Sequence, residues 1–230
     1  MSRPYVICHM ICSLDGRLLT ARWPVSEQSL HDVYQPTAER LGGEGWIVGR
    51  RTMLEFMPEA EPDLAAPQPR PDQPRPDQPA DPAGRDLAIC FDREGRLDPP
   101  SGDVDGDHLV LVLSTRVAPA KVEELEARGV SVFFAGPAGE EIADALSRIG
   151  AAFGVSRLLL EGGGRINAAF LAADAIDETS TLIHPTLDGQ RDVPAIYDDP
   201  GATKARALEL IGAEPLPSGE VWIRHRLLRG

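Results

Sequence analysis

Apolar residues along the chain recur with two periods. Short runs without alternation stand at 4–12, 46–48, 86–92, 108–113, 130–134, 158–160 and 179–184, and each ends in polar or glycine-rich sequence. Such runs read as strands buried on both faces. Between them the spacing changes to three and four. Leu30, Val33, Tyr34, Ala38 and Leu41 predict a helix capped by Ser26 and ended by Gly42-Gly43. Pro36 inside it predicts a kink or two shorter helices. Met53, Phe56 and Met57 predict a helical turn, and 121–128, 140–152 and 164–173 predict helices. Residues 99–107 read as loop. At the end, Val221, Ile223, His225 and Leu227 alternate with Trp222, Arg224 and Arg226, so 220–228 and 207–211 form an antiparallel closing pair. Early alternation of strand and helix with a strand-rich end predicts an α/β fold. Its central sheet is mostly parallel, flanked by helices, with an antiparallel C-terminal edge.

One segment breaks the pattern. Residues 58–84 are rich in proline and repeat Arg-Pro-Asp-Gln-Pro at 70–74 and 75–79. Proline fixes φ and removes a donor, which predicts an extended, mobile surface excursion within a single domain spanning 1–230.

Composition narrows the function classes. At 230 residues with 42% hydrophobic content the chain suffices for one sizeable core. A net charge of -13 repels phosphate backbones, which argues against nucleic acid and anionic membranes as partners. Cys8, Cys12 and Cys90 make an odd count without a Cys-x-x-Cys pair, so reduced core thiols are expected, with no disulfide framework or structural zinc. The five histidines form no spaced metal set, and no metal site is expected. The N-terminus reads as leaderless, and no apolar run reaches membrane-spanning length, so a cytoplasmic protein is expected.

Candidate chemistry gathers where strands end, as it does in open α/β sheets. Ser13-Leu-Asp-Gly-Arg17 follows the first run, with Asp15 readable as a turn residue. Gly49-Arg50-Arg51-Thr52 follows the second, and Ser114-Thr-Arg116 follows 108–113. Glu161 with Gly162, Gly163 and Gly164 stands between a strand and a helix. Bare glycine backbone at a helix start offers N–H groups to an anion; the competing reading is a tight turn packed on its sheet. Two glycine corners and three arginines point to an extended anionic ligand such as a dinucleotide.

These residues, in this order, resemble the reductase domain of bacterial riboflavin biosynthesis proteins, which has the dihydrofolate reductase fold. The resemblance rests on Ser13–Arg17, Gly49-Arg-Arg-Thr52, Glu161–Gly164, Phe170-Leu171, Asp177-Glu178 and the Pro185…Gly189 turn. It implies an NADPH-dependent reductase that turns the ribosylamino group of a phosphoribosylamino-pyrimidine into ribitylamino. On that reading Gly49, Arg50 and Thr52 hold the cofactor's phosphates, Ser114 and Arg116 lie near the 2′-phosphate, and Gly162–Gly164 run under the pyrophosphate. Asp15 and Glu161 are the candidate catalytic groups, with Ser13, Asp15, Arg17 and His9 toward substrate. His9 stands where many members carry lysine. A homodimer is implied, with Trp222 on the late strands as its expected surface. Two alternatives remain open. One is a pterin or dihydrofolate-like reductase with Asp32 or Glu39 as ring-binding carboxylate. The other is an inactive nucleotide-binding module.

Overall fold

The computed structural model describes residues 2–60, 75–198 and 204–229. Along the chain run β1 (Tyr5–Ser13), α1 (Glu27–Leu41), β2 (Gly45–Gly49), α2 (Arg50–Phe56), β3 (Leu87–Phe91), β4 (Asp103–Val104), β5 (Asp107–Leu113) and α3 (Pro119–Ala127). Then come β6 (Ser131–Phe134), α4 (Ile142–Phe153), β7 (Arg157–Leu160), α5 (Gly164–Ala172), β8 (Glu178–His184), β9 (Leu208–Pro215) and β10 (Val221–Leu227). The chain divides into two compact units: residues 1–4 with 44–156, and residues 5–43 with 157–230.

In the first unit β2, β3, β5 and β6 are parallel neighbours in that order. β3 is buried along its whole length, which explains its unbroken apolar reading. The two-residue β4 turns back antiparallel on β5, within the stretch expected to be loop. Its core packs Val48, Met53, Leu111, Leu125 and Val132 together. The second half of the proline-rich segment is held to the free side of β6. Gln78 and Val132 exchange main-chain hydrogen bonds at 2.7 and 3.0 Å. Asp77 accepts from the Phe134 N–H at 3.1 Å and from Arg148 Nε at 2.6 Å. Proline spares the N–H of Gln78, so one ladder step survives between the prolines. Residues 61–74, including the first copy of the repeat, lie outside the described residues.

In the second unit β1 lies between β7 and β8, parallel to both. β10 pairs antiparallel with β8, and β9 with β10, giving the expected antiparallel edge. Ile7, Leu41, Leu159, Leu182 and Trp222 form its core. α1 is one continuous helix: Ser26 accepts from the Ser29 N–H at 3.1 Å, and Gly42 closes it at φ 67°. Pro36 sits inside without breaking it, so of the two expected alternatives the pair of shorter helices is not found. The Thr37 hydroxyl beside it turns inward onto the carbonyls of Tyr34 and Val33, at 2.7 and 3.1 Å. Among the described residues no helix is long and apolar enough to cross a membrane. All three cysteines are free and buried.

Candidate active site

The second unit carries the carboxylates. β1 ends in a turn where the Ser13 N–H bonds Arg17 O at 3.0 Å and the Arg17 N–H bonds Ser13 Oγ at 2.9 Å. Asp15 projects from this turn into solvent. It accepts from Ser13 Oγ at 2.7 Å and from the N–H groups of Asp188 and Gly189 at 3.0 and 2.9 Å. These bonds hold its pKa down at about 2. A carboxylate so stabilised is ionised at neutral pH, and its bonds fasten the 185–189 turn to β1. Arg17 reaches the carbonyl of Val193 at 2.9 Å and lies in the same knot.

Glu161 stands just past β7 and is the opposite case. It is partly buried, and desolvation lifts its pKa to about 7. The glycines after it have packing reasons of their own. Gly162 has φ +99°, and a Cβ there would stand 2.8 Å from Met10. A Cβ on Gly164 would stand 2.3 Å from the Ala195 carbonyl oxygen. The chain's own segment at 195–198 therefore covers part of the backbone expected to lie under a pyrophosphate. Asp198 N–H bonds Gly164 O at 3.1 Å, and Asn167 Nδ2 bonds Ile196 O at 2.9 Å. Asn167 is completely buried, and its Oδ1 has no partner among the described residues.

His9 does not face a substrate. It is 0% exposed, with Nδ1 3.0 Å from Ser180 Oγ and Nε2 3.3 Å from Thr37 Oγ1. Burial pushes it down to about 4, so it is neutral. The strand alternation that sends Cys8 and Met10 one way sends His9 under α1. Trp222 is likewise no surface residue: it is buried, with the Arg40 guanidinium 4.3 Å over its ring. Asp32 and Glu39 are exposed, which removes the ring-binding carboxylate from the pterin reading.

The first unit carries the cations. The ends of β2, β3 and β5 lead into Arg50 and Arg51, Arg93 and Arg96, and Arg116. Arg50 leans on the buried Asp92 at 3.6 Å and on Glu94 at 3.9 Å. Asp92 also accepts from the Leu97 N–H at 2.7 Å, and burial raises its pKa. Arg51 and Arg116 have no ion pair among the described residues. Ser114 is buried; its hydroxyl donates to Pro137 O at 2.7 Å and accepts from the Arg116 N–H at 3.1 Å. Ser114 therefore shapes the turn that displays Arg116. Gly49 precedes α2 in extended conformation, and Thr52 lies within the helix, partly exposed.

Sequence reasoning passed over Tyr34, Asp92, Asn167 and Tyr197. Asn167 left a trace, an amide at a periodic apolar position of α5, and Asp92 another, a carboxylate where β3 ends. Tyr34 reads as one more apolar residue of α1, and no local pattern marks Tyr197. Among the described residues no group of His, Cys, Asp and Glu could hold a metal ion.

A mostly parallel sheet with flanking helices and an antiparallel edge is the architecture of the dihydrofolate reductase-like class. Residues 4–221 match the RibD C-terminal domain, and the chain belongs to that family. A 2,5-diamino-6-ribosylamino-4(3H)-pyrimidinone 5′-phosphate reductase of Methanothermobacter thermautotrophicus is 29% identical over 201 residues, 86% of each chain. One of the same name from Archaeoglobus fulgidus is 27% identical over 214 residues, 91% of this chain and 93% of the relative. A pyrimidine reductase-like protein of Corynebacterium diphtheriae shares the fold with a TM-score of 0.69 at 15% identity, covering 99% of this chain and 93% of that one.

Proposed function

We propose that this protein is an NADPH-dependent reductase that converts the ribosylamino group of a phosphoribosylamino-pyrimidine to ribitylamino. The observation that carries the reading is Glu161, an acid whose pKa of about 7 suits proton delivery near neutrality. The names of the two archaeal relatives, both pyrimidinone phosphate reductases, support the substrate class.

The residues fit a nicotinamide dinucleotide. Arg51 and Arg116, without an ion pair among the described residues, offer cations to its phosphates, against a chain that is otherwise acidic. Arg50, steadied by Asp92, adds a third. Gly163, where the N-terminus of α5 is still partly exposed, is the glycine left to approach a ligand. When bound, the cofactor supplies the hydride for the carbon of the ring-opened C=N bond. Glu161 gives its proton to the nitrogen. Asp15 remains ionised and keeps the 185–189 turn in place beside Ser13 and Arg17.

The homodimer belongs to the same proposal, with a changed surface. β9 is an edge strand, and Leu208, Leu210 and Ile211 are exposed along it, Leu210 at 61%. Leu210→Asp is expected to give a monomer by light scattering; an unchanged mass removes β9 from the contact. Free buried thiols suit a cytoplasmic location.

Titration with NADPH and NADH, followed by nicotinamide fluorescence, tests the function. Saturable NADPH binding, weakened about tenfold in Arg116→Ala by loss of one charge-assisted contact, is expected. Pyrimidine-dependent NADPH oxidation then follows. Absence of binding by either cofactor overturns the reading and leaves the glycine corners as structural turns; binding without turnover favours an inactive nucleotide-binding module.

A further inference from the structure

In the first unit Arg50 pairs with two carboxylates of different kinds. Asp92 is buried at the end of β3, with Oδ1 3.6 Å from Arg50 Nη1. Its Oδ2 accepts from the Leu97 N–H at 2.7 Å, and its main-chain oxygen accepts from the Gly95 N–H at 3.0 Å. Its own N–H donates to Val112 O at 3.0 Å, so Asp92 is built into the turn 92–97 and tied to β5. Glu94 comes from the same turn, but its side chain is 57% exposed. Its Oε2 lies 3.9 Å from the same Arg50 Nη1 and 2.6 Å from Arg96 Nε. Two guanidinium groups thus converge on one exposed carboxylate.

The charge of that carboxylate suits the place, and its fit does not. Arg96 Nε is close to it, yet the N–H is not directed at it. The atom is buried without a hydrogen-bond partner among the described residues. At 3.9 Å Arg50 makes an ion pair with Glu94 and no hydrogen bond. Such an exposed pair contributes about 0–1 kcal/mol. A phosphate has more oxygens to offer, and guanidinium groups take it with paired, charge-assisted hydrogen bonds. With no anion between them, two guanidinium groups repel each other.

We propose that Arg50 and Arg96 form a phosphate subsite that Glu94 fills from within the chain and yields to a phosphate group of the ligand. That the ligand is the cofactor rests on the reductase reading; the subsite itself asks only for a phosphate. Asp92 decides the sign of what Glu94 does. Buried and held by the turn, it stays on Arg50 whether or not Glu94 is charged. Removing the Glu94 charge therefore leaves Arg50 in place and deletes a competitor of the ligand's own sign, so binding tightens. A Glu94 that served as a strut for Arg96 would have the opposite effect, and its loss would weaken binding.

Glu94→Gln separates the two, since it keeps the size of the side chain and removes its charge. The probes are inorganic pyrophosphate, followed by calorimetry, and NADPH, followed by nicotinamide fluorescence. Pyrophosphate is expected to bind about three- to tenfold tighter to Glu94→Gln than to the parent. Glu124→Gln, which removes an exposed charge from α3 of the same unit, controls for net charge and is expected to stay within about twofold of the parent. Arg96→Ala is expected to cancel the gain when combined with Glu94→Gln. Pyrophosphate binding that is absent, unchanged or weaker in Glu94→Gln overturns the proposal, as does an equal gain in Glu124→Gln. The NADPH arm identifies the ligand. A parallel gain assigns the subsite to the cofactor. If pyrophosphate gains while NADPH binds neither protein, the subsite stands and the dinucleotide reading falls.

Discussion

Asp15 and Glu161 carry the same chemical group and are pushed in opposite directions. Three donors around an exposed Asp15 favour its ion, and desolvation at Glu161 favours the acid. Their variants should therefore fail differently. Glu161→Gln is expected to lower kcat by a hundredfold or more, as loss of a general acid does. Asp15→Asn keeps an acceptor oxygen but cannot accept from both Asp188 and Gly189. It is expected to raise KM severalfold with the pH profile in place; an alkaline limb displaced in Asp15→Asn would return Asp15 to the proton path. In the sequence both residues stand out, because each ends a strand next to glycine. Their division of labour does not, because it depends on donors at 188–189 and on the burial of Glu161. His9 is the matching case: its position in a strand is legible, its neutral state under α1 is not.

Among elements, the glycine turn before α5 was half readable. Strand, glycines and helix are plain in the pattern, and so was the question of ligand or packing. The segment at 195–198 answers it for Gly164, from a place in the chain thirty residues on that has no periodicity of its own. Gly164→Ala puts a methyl group against the Ala195 carbonyl, at a cost of about 1–3 kcal/mol for overpacking. Denaturant unfolding should register that loss, along with faster proteolytic cutting in 195–198. Unchanged stability would mean that the segment yields freely. The tether of residues 75–80 to β6 is also tertiary. Proline content shows only which residues cannot donate. The free edge that gives Gln78 and Asp77 their partners lies in a strand more than fifty residues later.

Across the molecule, buried His9 and partly buried Glu161 shape stability against pH with opposite sign. Below 6.5 the unfolded chain takes up a proton that folded His9 refuses until about 4. Its contribution is complete above 6.5 and falls as pH drops through that window. Above 4.5 the unfolded chain releases a proton that folded Glu161 keeps until about 7. Its contribution is complete below 4.5 and falls as pH rises. Each spans on the order of 3 kcal/mol, so between 4.5 and 6.5 they nearly cancel. The parent is expected to melt at a nearly constant temperature there. Glu161→Gln removes one slope, and its Tm should climb by roughly 5 °C as pH rises across the same window. Parallel melting curves for the two proteins would refute the balance.

By itself the sequence determined the class of fold, the order of strands and helices apart from the two-residue β4, the parallel body with its antiparallel edge, and which strand ends carry acids and cations. Those follow from apolar period and turn chemistry, which act over a few residues. Only the tertiary structure decided the protonation of Glu161, the ionised state of Asp15, the burial of His9 and Trp222, and what each glycine makes room for. A pKa and a packing distance depend on solvent and on neighbours brought from far along the chain, and no local pattern carries that information.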